Sequence, residues 1–143
     1  MIRHVVGIAE IVEDLAAAVR FYRDSLGLDV KPTADGNYAE VSADGVSHFG
    51  LWRRSHAALM IHGDAALAER VPLGFSIGFE VDSVAEGEVK LREVGVPVIQ
   101  GTRLEPWGQK TCRFMSPSGQ VCEISETPWA RALKASVRVS TSG

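Results

Sequence analysis

Residues 5–12 form a short, nearly uncharged run rich in valine and isoleucine, which predicts a strand. The period then changes. Leu15, Val19, Tyr22 and Leu26 stand four, three and four residues apart, one apolar stripe on a helix. Asp14 supplies the oxygen that opens this helix, and Gly27 the left-handed position that closes it. A further strand follows Gly27. Two more, at 37–42 and 46–53, are predicted to meet as a hairpin across Ala43, Asp44 and Gly45.

The same plan returns later in the chain. Residues 74–82 predict a strand, and Ser83 and Glu86 form an S-x-x-E capping box that opens a second helix. Val84, Leu91 and Val94 are its expected core positions. Strands at 96–100, 107–115 and 120–126 complete the copy, the last two joined about Ser116, Pro117, Ser118 and Gly119. Placing Asp14 on Ser83 keeps the first strands in register, and one deletion in the second helix brings Gly27 onto Gly95. A repeat of this length predicts an α+β fold of two tandem βαβββ modules, with a site on their facing positions. Module one spans 5–54, a linker 55–73, module two 74–126 and a tail 127–143. The linker is expected to hold a short helix around 64–70, ended by Pro72. The tail reads as a frayed helical turn or an arm lying on a partner.

The 143 residues, 45% of them apolar, suit a single domain that needs no disulfide staples. Cys112 and Cys122 lie in apolar alternating runs and read as free, buried thiols. A net charge of −3 with mixed signs gives no basic face, so nucleic acid is not an expected partner. No apolar run approaches the length of a membrane span, so no membrane association is expected and the default location is cytoplasmic.

Three motifs now combine with the repeat: D-L-x-x-x-V-x-F-Y-x-x-x-L-G at 14–27, P-W-G at 106–108 and S-P-S-G-x-x-x-E at 116–123. Together they resemble the vicinal-oxygen-chelate superfamily, the glyoxalase, bleomycin-resistance and extradiol-dioxygenase group. That resemblance implies an eight-stranded sheet wrapped as a U around a cleft, commonly in a homodimer. It also implies, for metal-dependent members, ligands on the first strand of each module and on the last strand. Those positions fall here on Gly7, Ser76 and Glu123. Glycine has no donor and a serine hydroxyl is a poor one, so a single carboxylate remains where a catalytic metal needs at least three protein ligands. No metal or other cofactor is expected. The four histidines, His4, His48, His56 and His62, form no H-x-H or H-x-x-x-H pair. A rebuilt metal site would draw on His48 and Glu123.

Strand alternation sends Gly7, Ala9 and Ile11 to the cleft, with Ser76, Gly78 and Glu80 opposite. Glu10 falls among core-facing positions without an evident partner. Along 46–53 the alternation buries Phe49 and Leu51 and turns His48, Gly50 and Trp52 to the cleft. Aligning Gly45 with Gly119 instead places Phe49 opposite Glu123, and the alternation is preferred. Small residues on both central strands leave room for a ligand, unless neighbouring side chains fill it. Trp52 and Trp107 are candidate aromatic walls; Trp52 reads equally as a rim or dimer-interface tryptophan, and the resemblance to drug-binding members implies that Trp107, in its P-W-G motif, lies at the pocket mouth. Arg113 and Glu123, on adjacent antiparallel strands, either pair in the cleft and orient a polar ligand, or Glu123 is a buried remnant satisfied by backbone amides. The resulting expectation is a metal-independent binder of a flat or aromatic small molecule, an antibiotic among the candidates, with Gly7, His48, Trp52, Ser76, Trp107, Arg113 and Glu123 around the ligand. The alternative is a lyase or isomerase using Glu123 as general base.

Overall fold

The computed structural model describes residues 1–129. Its strands are β1 (Ile2–Val12), β2 (Asp29–Pro32), β3 (Tyr38–Ser42), β4 (Phe49–Arg53), β5 (Gly74–Val81), β6 (Val98–Leu104), β7 (Lys110–Met115) and β8 (Val121–Glu126). They make one open sheet in the order β2-β3-β4-β1-β5-β8-β7-β6. Two four-stranded halves meet at the antiparallel β1–β5 pair, and each first strand also pairs in parallel with the last strand of its own half. Ile8 faces Ile77 across this seam. The offset that sets Asp14 on Ser83 also sets Ile8 on Ile77, so the axis of the repeat passes between these two isoleucines. The α+β fold of two βαβββ modules read from the sequence is the fold observed.

Helix α1 (Leu15–Arg20) is capped by Asp14, whose Oδ1 accepts from the Ala17 amide at 3.0 Å. It runs on into a π-helical turn, Phe21–Ser25, before Gly27 ends it at φ +73°. Leu15, Val19 and Tyr22 are buried against Val12, Val30, Ala39, Val41 and Leu51. Leu26, expected on the same stripe, is instead 53% exposed. The wider π turn, closed by the Leu26 amide on the Phe21 carbonyl, rotates it off the apolar face.

In the second module Ser83 Oγ accepts from the Glu86 amide at 3.2 Å and starts the helix Val84–Glu93. Val84 and Leu91 pack with Val81, Cys112 and Ile124. Val94 does not. It stands at the C-terminal cap and is 72% exposed, because the helix stops before its side chain can turn inward.

The linker holds more structure than its sequence announces. Residues Arg54–His62 form a helix, numbered α2 here with Val84–Glu93 as α3, and Gly63 closes it at φ +78°. The short helix expected around 64–70 is present as a 3₁₀ turn, Ala65–Arg70, capped by Asp64. Helices α1 and α3 cover the outer face of the sheet. Helix α2 enters the inner face, where Ala57, Ala58 and Ile61 are buried with Ile11, Trp52, Val71 and Val121.

The sheet is strongly bent. The Arg113 guanidinium on β7 lies 5.3 Å from the centre of the Trp52 ring on β4, although three strands separate β4 from β7. In a flat sheet those strands would stand about 19 Å apart. This curl makes the cleft.

Cys112 and Cys122 are unpaired and buried, and burial pushes the Cys112 thiol up to about 11, so both behave as small apolar groups. Glu10 faces the α1 side and accepts the Tyr22 hydroxyl proton, the partner its sequence left open. Among the described residues no helix is long and apolar enough to cross a membrane. The part of the tail expectation that falls on residues 130–143 lies outside the described residues.

Candidate functional site

The ladder lays the predicted cleft residues in one row. Gly7 pairs with Gly78, Gly78 with Glu123, and Glu123 with Arg113, so a path of four residues crosses from β1 to β7. On the other side of β1, Ala9 pairs with Gly50. Since Ala9 and Gly78 are repeat equivalents, Gly50 is the counterpart of Glu123, and neither His48 nor Phe49 is. The loop of residues 43–48 is one residue longer than that of 116–120, which displaces Gly45 from the place of Gly119. The alternation itself holds, because Leu51 is buried and Phe49 packs on the outer core while Trp52 faces inward.

Each glycine of this floor meets a different neighbour. A Cβ on Gly50 would stand 1.8 Å from the Tyr38 hydroxyl, so the tyrosine occupies the space that the missing side chain leaves. A Cβ on Gly7 would stand 2.6 Å from the His48 carbonyl, which accepts the Ile8 amide at 3.0 Å. At Gly78 the nearest atoms, among them Glu123 Oε1, lie at 3.8 Å, an ordinary contact distance. The opening foreseen in mid-cleft is thus filled over Gly50 and Gly7, and beside Gly78 there is room for a methyl group.

Tyr38 and His48 form a pair. Their rings stack at 6.0 Å, within 5° of parallel, and the hydroxyl is hydrogen-bonded to His48 Nε2. Burial raises the phenol pKa above its usual value, with Glu40 and Glu123 adding to the effect. Burial also lowers that of His48, against the pull of Glu40. Both directions favour a neutral imidazole accepting from a neutral phenol.

Arg113 is the centre of the second half. It is 2% exposed and donates from Nε to Glu123 Oε2 at 3.1 Å and from Nη1 to Glu105 Oε1 at 2.8 Å and to Gln100 Oε1. Glu105 is also held by Arg103, at 3.0 Å, and by the Thr111 hydroxyl at 2.8 Å. Burial opposes the Glu105 charge, but Arg103, Arg113 and Thr111 outweigh it and lower its pKa. Glu123 goes the other way. Its burial, helped by the Glu105 charge, outweighs Arg113 and raises its pKa.

Trp52 reaches the cleft but is engaged there: its indole N–H donates to His56 Nδ1 at 2.9 Å and its face lies under Arg113. Ser76 pairs with Ala9 and is buried. Trp107 lies in the turn before β7, not within the strand, and is 44% exposed. Its indole donates to Gln109 Oε1, and Gln109 donates to the Thr127 hydroxyl at 2.8 Å, a link to the cleft row through Ser125. Gln100, Glu105 and Tyr38 escaped the sequence reading. Tyr38 had a signal, being out of phase with Ala39 and Val41, and Gln100 had one as a polar residue in an apolar strand. Glu105 had none, since it lies in a loop and is buried by contacts remote in sequence.

These donors do not fit a divalent metal of the kind the family resemblance implies. Gly7 offers nothing, Ser76 a hydroxyl, and the Glu123 carboxylate already faces a guanidinium whose charge would repel a second cation. Among the described residues no three His, Cys, Asp or Glu side chains come together in a way that could hold a metal ion.

Several known structures share this architecture. A glyoxalase/bleomycin resistance protein/dioxygenase superfamily member from Vibrio splendidus 12B01 is 18% identical, with a TM-score of 0.59 over 89% of this chain and 100% of that one. The methylmalonyl-CoA epimerase of Streptomyces coelicolor is 20% identical, with a TM-score of 0.54 over 89% and 96%. The Mn(II)-bound glyoxalase of Novosphingobium aromaticivorans is 16% identical, with a TM-score of 0.56 over 85% of this chain and 37% of that one. At such identities the likeness is one of fold. No curated protein matches the chain. Residues 5–128, however, match the glyoxalase-like domain, and the chain belongs to that family.

Proposed function

We propose that this protein is a metal-independent small-molecule binder of the glyoxalase and bleomycin-resistance type, a cytoplasmic homodimer that sequesters a flat or aromatic ligand, an antibiotic among the candidates. The observation that carries this reading is the ion pair between Glu123 and the buried Arg113. It engages Oε2 of the one carboxylate left at a metal-ligand position, while Oε1 borders the space beside Gly78. A ligand there would give a hydrogen-bond donor to Oε1 and lay a flat surface over Gly78. Burial of its apolar area, at ~25 cal/mol per Å², would supply affinity without chemistry. Tyr38 and His48 would form one wall and the exposed Trp107 the rim.

The test is a fluorescence titration against a panel of aromatic antibiotics, with and without EDTA. Binding indifferent to EDTA is expected, and Trp107→Ala should weaken it on the order of tenfold to a hundredfold, the equivalent of ~1.5 to 3 kcal/mol. No binding across the panel, or binding abolished by EDTA, would sink the reading.

One observation favours a second reading. Glu123 is partly open, at 17% side-chain exposure, and holds its proton more tightly than an ordinary carboxylate, as a general base of a lyase or isomerase would. A Glu123→Gln variant that binds ligand but loses a turnover present in the parent would favour this enzyme.

A further inference from the structure

We propose that a second copy of this chain docks on the outer face of the β1–β5 seam, so that the dimer forms back to back and each cleft belongs to one chain. The inference names the contact face of the homodimer put forward above and rests on that reading.

Helices α1 and α3 leave the seam uncovered. Leu15, Val19 and Tyr22 pack over Val30, Ala39, Val41 and Leu51 on β2, β3 and β4. Val84 and Leu91 pack over Cys112 and Ile124 on β7 and β8. Between the two helices Phe75, Ile77 and Phe79 share one face of β5, paired with Glu10, Ile8 and Val5 of β1, and Ile2 follows beside Val81. Ring contacts from Phe75 to Phe49, Tyr22 and Phe21 carry the apolar surface sideways to the turn after α1, where Phe21 and Leu73 line one groove.

Ile2, Val5, Phe21, Leu73 and Phe75 are each about half exposed, and Ile8, Ile77 and Phe79 partly so. Single exposed apolar residues are ordinary, but a continuous strip of them marks a contact surface. Together they offer roughly 500 Å² of apolar area. A stable interface takes about 800 Å² from each partner, about three-fifths of it apolar, so the strip is the right size for the centre of one. Ion pairs supply a polar rim, Arg3 with Asp82 beside Ile2 and Glu13 with Arg54 beside the groove. A strip that is apolar along its length and closed at each end by an ion pair complements itself when one copy is turned end for end, which is what a two-fold contact requires. The side chains of Glu123 and Arg113 lie on the opposite side of the sheet and stay clear of it.

Sedimentation velocity across a dilution series of the full chain should give twice the 15.4 kDa of one chain. Phe75→Glu and Val5→Asp should weaken self-association on the order of a hundredfold or more. Leu59→Glu and Leu104→Glu, at residues exposed away from the strip, should leave the dimer intact. Far-UV circular dichroism checks that each variant is folded, and if Phe75→Glu is not, Phe75→Ser reads the same association without a charge. A dimer that survives folded strip variants, or that comes apart only with Leu59→Glu or Leu104→Glu, would overturn this docking face and leave the homodimer standing. A parent that sediments as a monomer throughout would overturn both.

Discussion

Gly50 and Gly78 occupy facing halves of the same floor, yet they should respond differently to one added methyl group. At Gly50 the new Cβ would meet the tip of Tyr38 at 1.8 Å, so the ring must leave and its bond to His48 must break. Gly50→Ala is expected to cost about 1 to 3 kcal/mol in urea unfolding. Gly78→Ala, with its first neighbours at 3.8 Å and no left-handed backbone to strain, should lie within about 0.5 kcal/mol of the parent. Equal costs at the two sites would contradict the Tyr38 packing. The two acids that accept from Arg113 should likewise separate by pH. Because its folded-state pKa is raised, Glu123 contributes stability that is complete below the ordinary carboxylate value, about 4.3, and is lost as pH rises through its folded value. Glu105, with a lowered pKa, contributes stability present above that ordinary value and lost as pH falls through its own folded value. In a plot of unfolding free energy against pH, Glu123→Gln should therefore flatten the decline on the rising side and Glu105→Gln the loss on the acid side. An unchanged pH profile in Glu123→Gln would refute the raised proton affinity.

Helices α1 and α3 were legible because each carries its own instructions: a capping side chain, an apolar stripe and a terminating glycine within one short window. Their ends were less so. Leu26 and Val94 satisfy the helical period, but a π turn in one case and an early cap in the other take them off the buried face. Helix α2 was hidden for a different reason. Its buried face is built of Ala57, Ala58 and Ile61, and two alanines give almost no hydrophobic contrast in sequence. They are small because the helix lies inside the bend of the sheet, a constraint that only the folded curvature imposes. Ile61 is the one large residue on that face, and Ile61→Ala should cost about 2 to 5 kcal/mol. Leu59→Ala, on the exposed side of the same helix, should cost well under about 1 kcal/mol. Similar losses in urea melts would mean that α2 does not seat as described.

At the scale of the whole molecule the repeat carried most of what could be read. Two similar segments dictate two similar halves, and the order of strands about the β1–β5 seam follows. The candidate site was legible only in part. Strand alternation put Gly7 and Gly78 in the cleft, the family resemblance put Glu123 there, and the adjacency of β7 and β8 brought Arg113 to Glu123. What closes on them, Tyr38 from β3, Glu105 from a loop and Trp52 from the opposite half, arrives through the curl of the sheet, which no local pattern records.

The repeat is also where the halves part company. Ile11 and Trp52, beneath α2, have as their counterparts Glu80 and Ser125, so one end of the inner face is apolar and the other polar, and all four side chains are buried. Glu80 there takes the Thr127 amide, and Ser125 shares its hydroxyl with Thr127. Two ends closed by such different chemistry leave the nearly two-fold scaffold asymmetric, so a substitution that one end tolerates is not one that the other would accept.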